Sequence, residues 1–231
     1  MKKSTWLLLA SAIVAVGVVV GLALAGVFRS PDEVTPIPPI VVAVDAGHGG
    51  ADPGAVFGEV YEKDINAAIV ARVEALMEAD PRLDAMLTRR LDVTVDNVDR
   101  VAMAEEAGAV IYVSVHVNAF TDESVHGMEV WVDDSRTPDD QSWALAQAIR
   151  EKLAAATGAH DRGVRSQESY LHRLAVPSVS VEVGYLTNSE ERSRLLDDTY
   201  QQQIATGILG GIRDFLIAVG QLVEDDSNDT M

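Results

Sequence analysis

Short apolar runs closed by glycine or by a lone polar residue alternate with segments of helical periodicity between residues 40 and 219, and this alternation leaves few architectures open. "IVVAVDAG" (40–47) is almost continuously apolar, as a strand buried on both faces requires. "DAMLT" (84–88), "AVIYVSVH" (109–116) and "SVSVEVG" (178–184) read as further strands, and "GMEVWVDD" (127–134) alternates sides as a strand with one more exposed face would. Between them Ile65, Ile69, Val73 and Leu76 recur at helical spacing from Glu62 until Asp80-Pro81 breaks the pattern. Residues 96–107 and 138–156 read as helices, the latter through Leu145, Ile149 and Leu153, and Ile204, Ile208, Ile212, Phe215 and Val219 stripe the last one. The order predicts a single α/β domain with a central, mostly parallel or mixed sheet covered by helices on both faces.

The flanks have a different character. Lys2 and Lys3 precede an uncharged run over residues 6–28, long enough at ~1.5 Å per residue to span a ~30 Å hydrocarbon layer. Its length favours an uncleaved signal anchor, whereas Ala23-Leu24-Ala25 has the small-x-small form of a cleavage site, and on either reading the rest of the chain crosses the membrane. Residues 1–29 are therefore set aside as anchor or signal peptide, 30–39 as a proline-rich linker, 40–219 as the folded domain and 220–231 as a disordered acidic tail.

Composition narrows the chemistry. The chain has no cysteine, so any metal must be held by His, Asp or Glu. The net charge is −18, and Lys2, Lys3 and Arg29 are the only charges among the first 29 residues, so the domain is more acidic still. Such a surface repels nucleic acid, which excludes that class of partner.

In open sheets the working crevice lies beyond the carboxyl ends of the strands. His48 follows the first strand in "DAGHGG", His116 ends "VSVH", Glu182 interrupts "VSVEVG", and Glu62 opens the first helix after a glycine-bearing loop. Two imidazoles and one carboxylate are the donor set of a catalytic zinc site that keeps one position open. Such an ion acidifies water and polarises a carbonyl oxygen, and a carboxylate off the metal then moves the proton. Glu182 is the candidate for that second task. On residue type alone Glu59 rivals Glu62 as a ligand.

"VDAGHGGADPG", "EKDIN", "TRRLD", "VSVHVNA" and "PSVSVEVGYLTN" follow one another in an order and at separations that resemble the zinc-dependent N-acetylmuramoyl-L-alanine amidases, the type 3 peptidoglycan amidases, over about residues 40–218. The resemblance implies hydrolysis of the amide between N-acetylmuramic acid and the L-alanine of the stem peptide. It implies one Zn2+ per chain on His48, Glu62 and His116, with Glu182 catalytic, and so prefers Glu62 over Glu59. It also implies an extracytoplasmic, cell-wall-facing enzyme with peptidoglycan as substrate, and leaves protein regulators unspecified. Tyr185 stands where phenylalanine is commoner and Val117 where a smaller residue is usual, which bears on the cleft floor rather than on the ligands. A non-catalytic wall-binding module of the same fold and a zinc hydrolase of another wall amide are the alternatives, since bond choice depends on loops.

The remaining polar residues receive plainer expectations. His126, His160 and His172 lie outside the motifs and are read as surface or packing residues. Asp45 either orients a ligand histidine or caps the glycine turn, Asn118 either meets substrate or ties its loop, and Arg89 and Arg100 are expected to pair with local acids. Residues 120–126 and 158–170 are read as the loops that shape access.

Overall fold

The computed structural model describes residues 37–224. The apolar segment 6–28, the linker as far as residue 36 and residues 225–231 lie outside the described residues. No helix among those described is long and apolar enough to cross a membrane.

Strand β1 (Ile40–Ala46) lies between β4 (Leu83–Leu87) and β5 (Ile111–Asn118), parallel to both. On the far side of β5 runs β8 (Ser178–Tyr185), also parallel, followed by β6 (Met128–Asp133) antiparallel to it and β7 (Asp161–Gln167) parallel to β6. The six-stranded sheet, ordered β4-β1-β5-β8-β6-β7, is therefore mixed. A short hairpin, β2 (Val56–Phe57) with β3 (Val60–Tyr61), leads into helix α1 (Glu62–Met77).

The period of two along each strand divides the core. Val42, Val44 and Ala46 of β1 and Val113, Val115 and Val117 of β5 face one way, into the main core beneath α1, α3 (Gln141–Thr157) and α5 (Asp198–Ala218). Ala43 and Tyr112 face the other way, against Val101 and Ala104 of α2 (Asn97–Glu106) and Leu171 of a 3-10 turn, Tyr170–Arg173. Helices thus flank both faces, but among the described residues the second face carries only these two small elements. Trp131, Glu182 and Arg165 stay partly exposed there.

Two sequence expectations need correction, and one helix joins the elements expected. Strand β6 is interior to the sheet and largely buried, with Trp131 its one partly exposed residue, rather than half wet, and residues 161–167, expected to be loop, form β7 beyond it. "DRGVRSQ" has one apolar residue and no alternation, since an edge strand is held by backbone pairing more than by burial. Residues 189–195 form a further short helix, α4 (Ser189–Leu195), started by Asn188, whose side chain accepts hydrogen bonds from the Glu190 and Glu191 amides. Finally, Leu222 belongs to the core, 5% exposed, so packing continues past residue 219 into the stretch assigned to the tail.

Candidate metal centre and active site

The loop after β1 forces His48 into a conformation a side chain rarely adopts, φ 62. Reciprocal backbone bonds between Gly49 and Asp52 close the loop. Its outward carbonyls are held by two arginines: Arg89 donates to Ala46 O and Gly47 O, at 2.9 and 3.0 Å, and Arg100 Nη2 donates to His48 O at 2.8 Å. Arg89 also reaches Lys63 O, at 2.9 Å, so it serves backbone carbonyls rather than an acid as expected. Arg100 does pair with an acid, Asp45, and both side chains are buried.

Glu62, the first residue of α1, is 4% exposed and brought beneath His48 by its own backbone contacts. Its Oε2 accepts the Ala55 amide at 2.8 Å; its Oε1 accepts the Val117 amide at 3.0 Å and Asn66 Nδ2 at 3.2 Å. The same Oε1 lies 3.3 Å from His48 Nε2 and 3.0 Å from His116 Nδ1. The two imidazoles meet edge to face, centroids 5.0 Å apart. One ligand atom from each of His48, Glu62 and His116 falls within 4.8 Å of the others, so the three could hold a metal ion. Gly47 makes this convergence fit, since a Cβ there would overlap the His116 ring. Glu59 sits exposed in the hairpin turn, away from the group.

Hydrogen bonds on the far side of each ring set the tautomers. His48 Nδ1 lies 2.7 Å from Asp52 Oδ2, an acceptor, so this nitrogen carries the proton and Nε2 offers its lone pair to the cluster. Ser114 Oγ donates its one proton to Asp45 Oδ2 at 2.5 Å, so it accepts from His116 Nε2 at 3.0 Å and leaves His116 Nδ1 free to ligate. Asp45 thus reaches the histidine only through Ser114. Its carboxyl is held below the ordinary range: burial opposes this, but Arg100, Ser114 and Thr88 outweigh it.

The three groups compete for protons as well as for a cation. The Glu62 hydrogen bond is the chief cause that raises His48 to about 9, with Asp52 adding to it against the cost of burial. Burial would raise Glu62, yet hydrogen bonds from His116 and His48 bring it well below its ordinary value. A divalent ion can replace those protons without leaving a buried charge unpaired.

Glu182 differs from its neighbours. It pairs in register with His116 on one side and Glu129 on the other, so all three share one sheet face. Glu129 is saturated, accepting from Tyr185 Oη at 2.7 Å and Asn118 Nδ2 at 2.9 Å and pairing with Arg165 at 2.9 Å. Glu182 has no hydrogen-bond or ion-pair partner among the described residues. Burial pushes its carboxyl up to about 7; the His116 charge opposes the rise, while Glu62 and Glu129 add to it. The site therefore lies on an open face at the strands' carboxyl ends, not only beyond them.

The chain between residues 42 and 214 matches the family model described as N-acetylmuramoyl-L-alanine amidase. It belongs to that amidase family. The N-acetylmuramoyl-L-alanine amidase LytC of Bacillus subtilis (strain 168) is 34% identical over 171 residues, covering 74% of this chain but only 34% of LytC. The catalytic domain of CwlV, an N-acetylmuramoyl-L-alanine amidase from Bacillus (Paenibacillus) polymyxa var. colistinus, is 36% identical with a TM-score of 0.72, over 77% of this chain and 98% of that domain. The CwlD amidase from Clostridioides difficile, solved in complex with the GerS lipoprotein, is 30% identical with a TM-score of 0.70, over 78% of this chain and 99% of CwlD.

In this amidase-family chain the sequence points to the residues of the cluster but not to Asp52, Ser114 or Glu129. Asp52 lies four residues after His48 in the glycine loop and Ser114 two before His116 on one strand face, spacings that could have drawn attention to both. Glu129 had no such signal, because its partners come from three other segments. Asn118 ties Glu129 and lies beside Glu182's strand. His126 and His160 meet at a tilted angle away from the cluster, centroids 5.2 Å apart, and His172 bonds Ser169 O.

Proposed function

We propose that the domain hydrolyses the amide joining the lactyl group of N-acetylmuramic acid to the L-alanine of the stem peptide, with Zn2+ held by His48, Glu62 and His116 and with Glu182 moving the proton. Family membership supports the reaction. The observation that carries the assignment is the unpartnered, half-buried carboxyl of Glu182 in register with His116, beside three converging donors. Two neutral imidazole nitrogens and a carboxylate oxygen suit zinc, and Asp52 and Ser114 keep both rings in the ligating tautomer.

When bound, Zn2+ supplies Lewis acidity toward the scissile carbonyl oxygen and lowers the pKa of water. Glu182 Oε accepts the proton that the attacking water gives up, then delivers it to the departing alanine nitrogen, so no strongly basic amide anion is released. A carboxyl near 7 is poised for both halves of that exchange. The Asp45–Arg100 pair keeps the loop beneath His48 in place throughout.

Residues 6–28 either anchor the domain to the outer face of the membrane or are removed near Ala25, and the acidic domain works on the wall side. Incubating the purified chain with peptidoglycan, with and without chelator and added zinc, tests the proposal. Stem peptides that begin with free L-alanine should appear by mass, vanish with chelator and return with zinc. Inactivity with zinc present would leave a wall-binding module, and fragments cut at another amide would replace this bond by that one.

A further inference from the structure

One cavity opens on the metal cluster itself and another lies beside Glu129, the register neighbour of Glu182, and their chemistry differs. One, about 340 Å³, opens on the β1 side, where Thr94, Asp96 and Asn97 offer neutral or acidic groups and Arg100 is already spent on Asp45. The other, about 330 Å³, opens beyond β8, among Asn118, Phe120, Trp131, Arg162, Arg165 and Tyr185. Two guanidiniums there face one carboxylate, Glu129, which accepts from Tyr185 and Asn118 and pairs with Arg165 at 2.9 Å and, more loosely, with Arg162 at 3.4 Å, while Arg162 Nη1 also donates to His126 O at 3.3 Å. In a chain of net charge −18 this spot keeps a local positive excess.

The geometry of Arg165 shows what that excess is shaped to hold. Its Nε contacts Glu129 Oε2 at 2.9 Å, and neither Nη has a partner among the described residues. The end-on edge of the fork therefore presents two parallel N–H donors, the arrangement that takes a carboxylate in bidentate fashion. Trp131 lies under this guanidinium, 5.9 Å to the ring centroid, and Tyr185 under that of Arg162 at 5.3 Å. Stacking on aromatic faces pre-orients both cations. From β8 to β7 across β6 is two strand spacings, roughly 10 Å, the reach of about three extended residues.

We propose that the β7 cavity holds the leaving peptide, and that Arg165, assisted by Arg162, binds a free carboxylate on its second or third residue. This rests on the amidase reading and gives the cleft a direction, with the neutral sugar lying toward Thr94 and Asn97. The test is a set of muramoyl-L-alanyl peptides, identical except that the carboxylate of residue two or three is free or converted to carboxamide. The wild type should prefer the free acid at one of these positions by ~10-fold in kcat/KM, the discount from a buried pair reflecting a half-exposed arginine. In Arg165→Gln that ratio should fall toward one, and Arg165→Lys should restore part of it. Equal rates for acid and amide in the wild type would overturn the proposal, as would an undiminished preference in folded Arg165→Gln. If the wild type cleaves no member of the set, the amidase reading itself fails.

Discussion

Around the cluster, single side chains have separable tasks, and substitutions can divide them. Glu182 touches no ligand of the cluster by hydrogen bond, so Glu182→Gln should keep its full metal content while turnover falls by ~10³-fold, the size of a lost general acid–base group. Metal analysis together with turnover on peptidoglycan checks this, and loss of the metal in that variant would make Glu182 a ligand instead. Ser114 and Asp52 act the other way: they hold the ring nitrogens that face away from the centre of the cluster. Ser114→Ala and Asp52→Ala should each weaken metal binding by ~10- to 100-fold, measured by competition with a chelator, with activity regained at saturating zinc. His48 carries a backbone strain that the paired loop imposes, so its position is inherited from the loop, not from its own rotamer.

Among the elements, the contact between α3 and α5 depends on two glycines one turn apart. A Cβ at Gly207 would come within 2.7 Å of Leu153 Cα, and one at Gly211 would overlap the Ile149 backbone, which cannot yield. Gly210 is different, since its added Cβ would meet only the Lys152 side chain, at 3.5 Å. Alanine gains up to ~1 kcal/mol over glycine in a helix interior. Gly210→Ala should therefore stabilise the fold by up to ~1 kcal/mol, whereas Gly211→Ala should lower stability by ~1–2 kcal/mol after overpacking is set against the same gain. Urea midpoints of the two variants should move in opposite directions; a rise in both would mean that the helices separate freely.

Across the whole molecule, one ion-paired corner ties distant parts of the chain together. Asp80, 4% exposed at the end of the first βα unit, receives Arg213 of α5 at 2.5 Å and Arg82 at 2.8 Å, while Arg82 also donates to Val223 O at 3.0 Å. The Arg82 hydrogen bond is the main cause that holds the Asp80 carboxyl well below its usual range, with Arg213 adding to it against burial. A carboxyl depressed in the folded state stabilises it at every pH above the unfolded value, ~3.9, and the contribution disappears as pH falls through the folded value. Asp80→Asn should cost ~2 kcal/mol at pH 7 and at pH 5. The gap between variant and wild type in denaturant midpoint should narrow only below pH ~4, and a gap that is constant down to pH 3 would assign the loss to packing. Read along the chain, apolar period and break signals sufficed for β1, β4, β5, β8 and the long helices, because burial on one or two faces dictates residue type locally. That His48, Glu62 and His116 come together was also legible, but only through the family resemblance, since residue type alone left Glu59 as a rival to Glu62. Tertiary structure alone decided that β7 exists and makes β6 interior, that Arg89 serves carbonyls, that Ser114 stands between Asp45 and His116, and that Glu129 is saturated while Glu182 is free. Each of those depends on which groups from separate segments come within hydrogen-bond distance, and no local pattern of residues encodes that distance.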